Sequence, residues 1–196
     1  MQTEYQGVAH KWISYENDAL GIRAGTFYET FGRGLTLDLF EDRRLSIDHR
    51  LEGARVKLSH DLVDAKGIYG KADWDTGVTV QGGEITAHPP IVDLGATWLD
   101  YSGTTAGRTN AYSLYANIPT DWVNVYGEYA EKHIIGPGTD GTALYLSADF
   151  TFLNYTFMAE YKDYEAFYLR SQTLSYNNPP SCIREPSYTL QSRHVH

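Results

Sequence analysis

The amino-acid sequence predicts an all-β protein, an antiparallel up-and-down meander forming all or part of a transmembrane β-barrel. Three observations lead there. Between residues 112 and 161 one set of alternate positions carries Tyr112, Leu114, Ala116 and Ile118, then Val123, Val125 and Tyr129, then Leu144, Leu146, Ala148 and Phe150, then Tyr155, Phe157, Ala159 and Tyr161. The other set carries Ser113, Asn117, Asn124, Glu128, Ser147, Asp149, Thr156, Glu160 and Lys162, so a period of two separates an apolar from a polar face. Second, the connections between strands alternate short and long, as between the two ends of a membrane barrel. Third, aromatic residues make up 14 % of the chain and Tyr dominates them with 16 copies, which suits rings with an apolar body and a wet tip.

Taken in order, alternation bounded by Gly, Pro, Asn and Asp gives about eleven strands. They fall at 5–15, 19–28, 34–41, 52–60, 64–74, 77–87, 91–101, 111–118, 122–131, 142–152 and 155–167. The first three alternate less cleanly than the rest. Sorted by parity, the connections 29–33, 61–63, 88–90, 119–121 and 153–154 fall at one end, all short. The other end receives 17–18 and 75–76 together with 42–51, 102–110 and 132–141, which are long and polar. Strands of about 8 to 13 residues bracket the roughly 9 to 11 that a tilted strand needs to cross a bilayer core. The barrel is expected over 1–170, with 171–196 a Pro-containing polar tail or loop leading to strands beyond this chain.

Composition narrows the alternatives. No apolar run approaches the roughly 18 residues of a membrane helix, and mean hydropathy is negative, which excludes a helical membrane protein but not a barrel. The formal net charge of −9 argues against nucleic acid as a partner. Membrane lipid and small polar solutes are the partners expected. The one cysteine, Cys182, cannot form an internal disulfide. The first seven residues lack the basic segment and apolar core of a signal peptide, so either this is a mature or excised segment of an exported protein, or the protein is cytoplasmic.

The stretch from Ala24 to Lys57, AGTFYETFGRGLTLDLFEDRRLSIDHRLEGARVK, contains Gly-Thr-Phe-Tyr-Glu, a Phe-Gly-x-Gly-Leu turn, an acidic Arg-containing loop and a Gly-x-Arg-Val strand. Further on, YNNPPSCIREPSY supplies Asn-Asn-Pro-Pro followed by Arg-Glu. Both stretches resemble an uncharacterised family of porin-like outer-membrane β-barrel proteins of Gram-negative bacteria. The resemblance implies an outer-membrane location, no assigned catalytic residues, and a chain that matches an internal part of a longer protein.

Candidate functional residues follow from the polar face. The first third carries Arg23, Arg33, Asp38, Arg43, Arg44, Asp48, Arg50, Glu52, Arg55 and Lys57. Arg55 and Lys57 share a face with Ser59, opposite Ala54, Val56 and Leu58, so in a barrel they point into the lumen. With Arg23, Asp38, Glu128, Asp149, Glu160 and Lys162 they are the expected lumen or selectivity residues, because charges lining a pore set its local field. The structural alternative is an internal salt-bridge network holding the barrel or the 42–51 loop. Tyr115, Tyr126, Tyr145 and Tyr164 either stack on solutes or fill space. Residues 136–141, Gly-Pro-Gly-Thr-Asp-Gly, lack the Gly-Lys-Ser/Thr ending of a phosphate loop and are expected as an external loop.

No cofactor is implied, and among the seven histidines only His194 and His196 are closely spaced, so no metal site is expected. Carboxylate pairs such as Glu128 with Asp149 or Glu160 suit glycoside hydrolysis, but any wet sheet face offers them, and a non-enzyme is expected. The competing function is a soluble extracellular β protein binding carbohydrate or a hydrophobic ligand through a Tyr-rich face.

Overall fold

Strict alternation over long segments allows each strand to sit between two neighbours with one side chain set on either face, and the chain adopts this arrangement almost throughout. The computed structural model describes residues 10–42, 47–72, 77–104, 107–120, 122–152 and 155–167. Ten strands form one antiparallel sheet: β1 (Trp12–Glu16), β2 (Leu20–Phe27), β7 (Leu51–His60), β8 (Val63–Ala72), β9 (Thr79–Ala87), β10 (Asp93–Thr104), β11 (Gly107–Pro119), β12 (Val123–Ile135), β13 (Gly141–Phe152) and β14 (Tyr155–Glu165), each paired with the next. Between β2 and β7, two small hairpins interrupt the meander, β3 (Thr30–Phe31) with β4 (Leu37–Asp38) and β5 (Glu41–Asp42) with β6 (Ile47–Asp48). The all-β antiparallel meander is the predicted class.

The two faces are inverted relative to a water-soluble sheet. Leu114, Leu146, Tyr155 and Phe157 stand exposed on the convex face, Leu114 at 66 %, together with Ile85, Leu94, Trp98, Tyr112, Val125, Tyr129, Phe150 and Tyr161. On the same strands Ser113, Ser147 and Glu128 point inward and are buried. The apolar positions deduced from alternation are thus the outer ones, and the polar positions are the inner ones. Outward-facing charge gathers beyond the apolar band, at Glu52, Lys71, Arg108, Glu131 and Asp163, all exposed and all toward the end opposite the connections 17–19, 61–62 and 88–92.

The main correction concerns 34–41. This stretch is not a strand of the sheet: it contributes β4 to a hairpin folded against the concave face. The physical reason is room. Inner-face positions of the wall at that level are small, with Ala111, Ala130 and Ala143 buried there, so an apolar hairpin fills the space that large side chains would otherwise occupy. Removing this crossing also reverses the parity of the first connections: 17–19 lies with the short connections, and the insertion of residues 28–50 hangs at the other end. The expected long loops at 102–110 and 132–141 are mostly ladder. Asp100 pairs with Asn110, Tyr101 with Thr109 and Thr104 with Gly107, and Asn110 continues to His133. Polar residues on both faces mark strand ends rising past the apolar band, not loops. The 136–140 connection is indeed irregular, with Asp140 Oδ1 accepting from Ile134 N at 2.8 Å. Arg43, Arg44 and the 171–196 tail, with Cys182 and the Asn-Asn-Pro-Pro stretch, lie outside the described residues.

Candidate functional site

The interior is organised around the Phe31-Gly32-Arg33-Gly34 turn at the tip of the β3–β4 hairpin, closed by Gly34 N donating to Phe31 O at 2.8 Å. Gly32 N donates to Glu84 Oε1 at 2.6 Å, and the next amide, Arg33 N, donates to Glu128 Oε2 at 3.1 Å. Glu84 is on β9 and Glu128 on β12, three strands away. In a flat sheet these strands stand about 14 Å apart, so their convergence on consecutive amides requires a sheet curved around the hairpin. Gly32 is needed at this contact: its φ is +53°, and a Cβ there would lie 2.9 Å from both Glu128 carboxylate oxygens and the Tyr126 hydroxyl.

Each carboxylate is further satisfied. Glu128 accepts from Ser113 Oγ at 2.8 Å and Tyr126 OH at 2.7 Å. Ser113 Oγ lies 2.8 Å from Thr97 Oγ1, which lies 2.9 Å from Thr36 Oγ1 on the insertion, so a buried hydroxyl chain links the hairpin to β10, β11 and β12. Glu84 accepts from Tyr115 OH at 2.8 Å and pairs with Lys66 Nζ at 2.6 Å. At the root of the insertion Glu29 collects three cations: Arg55 at 3.1 Å, Lys57 at 3.3 Å and Lys66 at 3.5 Å. Buried charges in such number persist only when paired and hydrogen-bonded.

The predicted site residues divide accordingly. Arg55, Lys57 and Glu128 face inward; Arg55 and Lys57 meet on Glu29 of the insertion, in the salt-bridge arrangement that was the structural alternative, whereas Glu128 holds the tip of the turn through hydrogen bonds. Asp38 lies in β4 and not on the wall, where it accepts from Thr30 Oγ1 at 3.3 Å. Arg23 faces inward on β2, donating from Nε to Thr26 O at 3.0 Å with its guanidinium 4.4 Å from the Trp12 ring. Glu160 accepts from Tyr145 OH at 2.7 Å and lies 3.6 Å from Lys162, whose ammonium sits 5.6 Å from the Tyr145 ring. Asp149 stands opposite Asn124, apart from the cluster around the turn, and its buried Oδ1 is without a hydrogen-bond partner among the described residues.

Sequence reasoning missed Glu29, Lys66 and Glu84. Lys66 and Glu84 are directly opposite across β8 and β9, a complementary pair visible only once register is known. The tyrosines pack on one another: Tyr115 and Tyr126 stacked at 5.8 Å, Tyr126 and Tyr145 tilted at 6.1 Å, with the Arg33 guanidinium 4.5 Å from the Tyr126 ring and its NH1 donating to Ser147 Oγ at 2.8 Å. Tyr28, between β2 and the hairpin, donates to Asp48 Oδ1 at 2.7 Å. Burial first, then that carboxylate, push its hydroxyl well above the ordinary range, so it remains a donor.

A curved meander with an inverted polarity and an inward-folded insertion defines a porin-like architecture. A porin from Rhodobacter blastica, solved in a mutant form, superposes with a TM-score of 0.52 at 17 % identity, over 80 % of this chain and 49 % of the porin. The chain therefore spans about half the length of that porin. The chain itself belongs to a family of unknown function (DUF6029), whose model matches residues 1–196. No curated protein sequence matches it.

Proposed function

We propose that this chain forms part of the wall of an outer-membrane β-barrel, acting as a porin-like passive channel or membrane scaffold with a charged lumen and no catalytic role. One observation carries the reading: the convex face exposes a continuous band of large apolar side chains, while the buried carboxylates Glu84 and Glu128 and the partly buried cations Arg55, Lys57 and Lys66 face the concave side. In water such a band is a severe liability; against lipid it is the favourable surface, and the polar face is the one that tolerates solutes. Trp98, Tyr112, Tyr129 and Tyr161 sit at one margin of the band, next to the outward-facing charges, and Trp122, Phe150, Tyr155 and Phe157 at the other. Two aromatic margins suit headgroup depth at the two interfaces of a bilayer.

On this reading Arg23, Arg55, Lys57, Glu128, Asp149, Glu160 and Lys162 belong to the lumenal lining, and membrane lipid is the principal partner. The inner tyrosines Tyr126 and Tyr145 are buried, so a carbohydrate-binding function would have to use the exposed tyrosines of the outer face.

The test is to refold the full chain into detergent micelles and compare its gel mobility before and after boiling. A boiling-dependent shift, with no folded species in plain buffer, is the expected result. A monomeric, cooperatively folded protein in plain buffer would overturn it.

A further inference from the structure

We propose that the outer face of β8 to β11 holds a membrane lipid with an anionic headgroup, its phosphate on Lys71 and Arg108 and its acyl chains in a slot floored by Gly67 and Gly83. This rests on the membrane-barrel reading above and names the class of lipid that one sector of the wall selects.

Three observations carry it. First, outward positive charge is confined to one row. Across the sheet Lys11 meets Thr26, Thr26 pairs with Glu52, Glu52 with Lys71, Lys71 with Thr79 and Thr79 with Ser102. At the irregularity after Tyr101 the row passes to Arg108. Among the described residues, Lys11, Lys71 and Arg108 are the lysine and arginine side chains on the outward parity of the sheet. Lys11 is engaged by Glu52 at 2.7 Å, whereas Lys71 is exposed and makes no ion pair among the described residues. The sector from β12 to β14 presents Glu131 and Asp163 outward instead.

Second, Arg108 is held from beneath. Asp100 stands on the outward parity yet is 1 % exposed, and its Oδ2 accepts from Arg108 Nε at 2.7 Å and from Nη2. The rest of the guanidinium fork is left for a ligand, on a side chain that is 54 % exposed. Asp100 Oδ1 is buried without a hydrogen-bond partner among the described residues. A buried acceptor in that condition is costly. A hydroxyl next to the phosphate, as in a glycerol headgroup, supplies the missing donor.

Third, the wall below the row is bare. Gly67 and Gly83 are direct partners on the outward parity, with Val56 beyond the first and Trp98 beyond the second. A Cβ on Gly83 would lie 2.8 Å from the Lys66 carbonyl oxygen, but one on Gly67 would meet nothing within 4 Å. Packing within the chain therefore does not require a glycine at 67. The two bare positions make a slot about 10 Å across, flanked by the exposed rings of Tyr69 and Trp98. Along β10 and β11 the outward pairs run Ala96 with Leu114, Trp98 with Tyr112, Asp100 with Asn110, and then Arg108. Apolar, aromatic, polar and cationic levels follow one another in the order of acyl chain, interface and headgroup. Guanidinium and ammonium groups are charge-assisted donors to a phosphate, with the Thr79 and Ser102 hydroxyls between them.

The test uses the full chain in phosphatidylcholine bilayers, after the boiling-dependent gel shift has established insertion. Trp12→Phe, Trp74→Phe and Trp122→Phe leave Trp98 as the reporter. A small fraction of the lipid carries brominated acyl chains, which quench an indole they touch, as either phosphatidylglycerol or phosphatidylcholine. The expected preference for phosphatidylglycerol at Trp98 is about 25-fold, about fivefold for each of the two cations. Lys71→Gln should lower it about fivefold. Adding Asp100→Asn with Arg108→Gln, which leaves the net charge unchanged, should remove the rest. A second form that keeps Trp122 instead, at the opposite margin, should show no preference. Equal quenching by the two lipids at Trp98 would overturn the proposal, as would a preference that survives all three substitutions or is the same at both reporters. Trp98 shielded from both lipids would mean that protein covers the slot, which also overturns it. A chain that shows no gel shift defeats the membrane reading first, and is recognised as such before any quenching is recorded.

Discussion

Strand β13 and the inserted hairpin are written in the same alternating pattern but occupy opposite environments. In β13, Leu146 and Phe150 look outward and are exposed, while Tyr145 and Ser147 look inward and are buried. In the hairpin, Leu35, Leu37 and Leu39 and the intervening Thr36 and Asp38 are all buried. Alternation reports an extended backbone and says nothing of what lies on either side. In the wall one side chain set meets the interior and the other is left exposed; in the hairpin both sets meet protein. The two regions should therefore respond to substitution in opposite ways.

The largest effect is expected inside. Phe31 is fully buried at the tip of the hairpin, and Phe31→Ala should cost about 3–5 kcal/mol, the range for emptying a packed aromatic site. Denaturant unfolding of the detergent-folded chain measures it. A loss below about 1 kcal/mol would mean that the hairpin is not packed in solution as it is here. Next is the outer face. Leu114→Arg, at a 66 % exposed position, should cost about 2–4 kcal/mol in lipid vesicles if the site lies near the bilayer midplane. A surface in water tolerates the same change within about 0.5 kcal/mol, so this substitution separates a lipid-facing wall from a wet one.

A smaller effect tests how closely the wall is fitted. Gly95 on β10 lies directly opposite Tyr115 on β11, and the Tyr115 ring occupies the place where a Cβ on residue 95 would stand. Gly95→Ala should destabilise by about 1–3 kcal/mol through overpacking. Adding Tyr115→Ala should relieve part of that loss, which a double-mutant cycle resolves. Strict additivity would show that the ring moves away freely.

The meander and its two faces were legible in the sequence because residues 112–161 alternate cleanly; which face points outward was not, because a membrane barrel and a soluble sandwich share that pattern up to inversion. The placement of Arg55 and Lys57 on the inner face followed from the same periodicity. The insertion was not legible. Leu35-Thr36-Leu37-Asp38-Leu39 satisfies the test for a spanning strand, and only the density of large apolar residues, with Phe27, Phe31, Leu35, Leu37 and Leu39 all needing cover, hints at an enclosed segment. The partners of the insertion were hidden for a different reason. Glu29, Lys66 and Glu84 are unremarkable charges until strand register and sheet curvature bring β7, β8, β9 and β12 around one turn. Long-range convergence of this kind is a property of the curved sheet as a whole, not of any local window.

The smallest effect concerns the end of the wall away from the insertion. There His88, in the connection after β9, lies 2.8 Å from Asp93 Oδ1 through Nδ1 and 3.2 Å from Asp64 Oδ2 through Nε2. The Asp93 hydrogen bond is the main cause raising its pKa; burial works against it, and Asp64 adds to the rise. A neutral imidazole carries one N–H and cannot donate to both carboxylates, whereas the imidazolium donates to both. Because the folded value lies above the unfolded one, the folded state holds the proton more tightly. The stabilisation is complete below about pH 6.5, the ordinary histidine value, and is lost as pH rises through the raised folded value. Both carboxylates are partly exposed, so the contribution should stay within the roughly 0.2–1 kcal/mol of solvent-screened ion pairs. Stability measured from about pH 6 to about pH 9 should decline slightly in the wild type and lose that component of the slope in His88→Asn. If the variant retains the full slope, the bridge between Asp64 and Asp93 does not bear on folding, and the end of the wall opposite the hairpin is held by its backbone ladder alone.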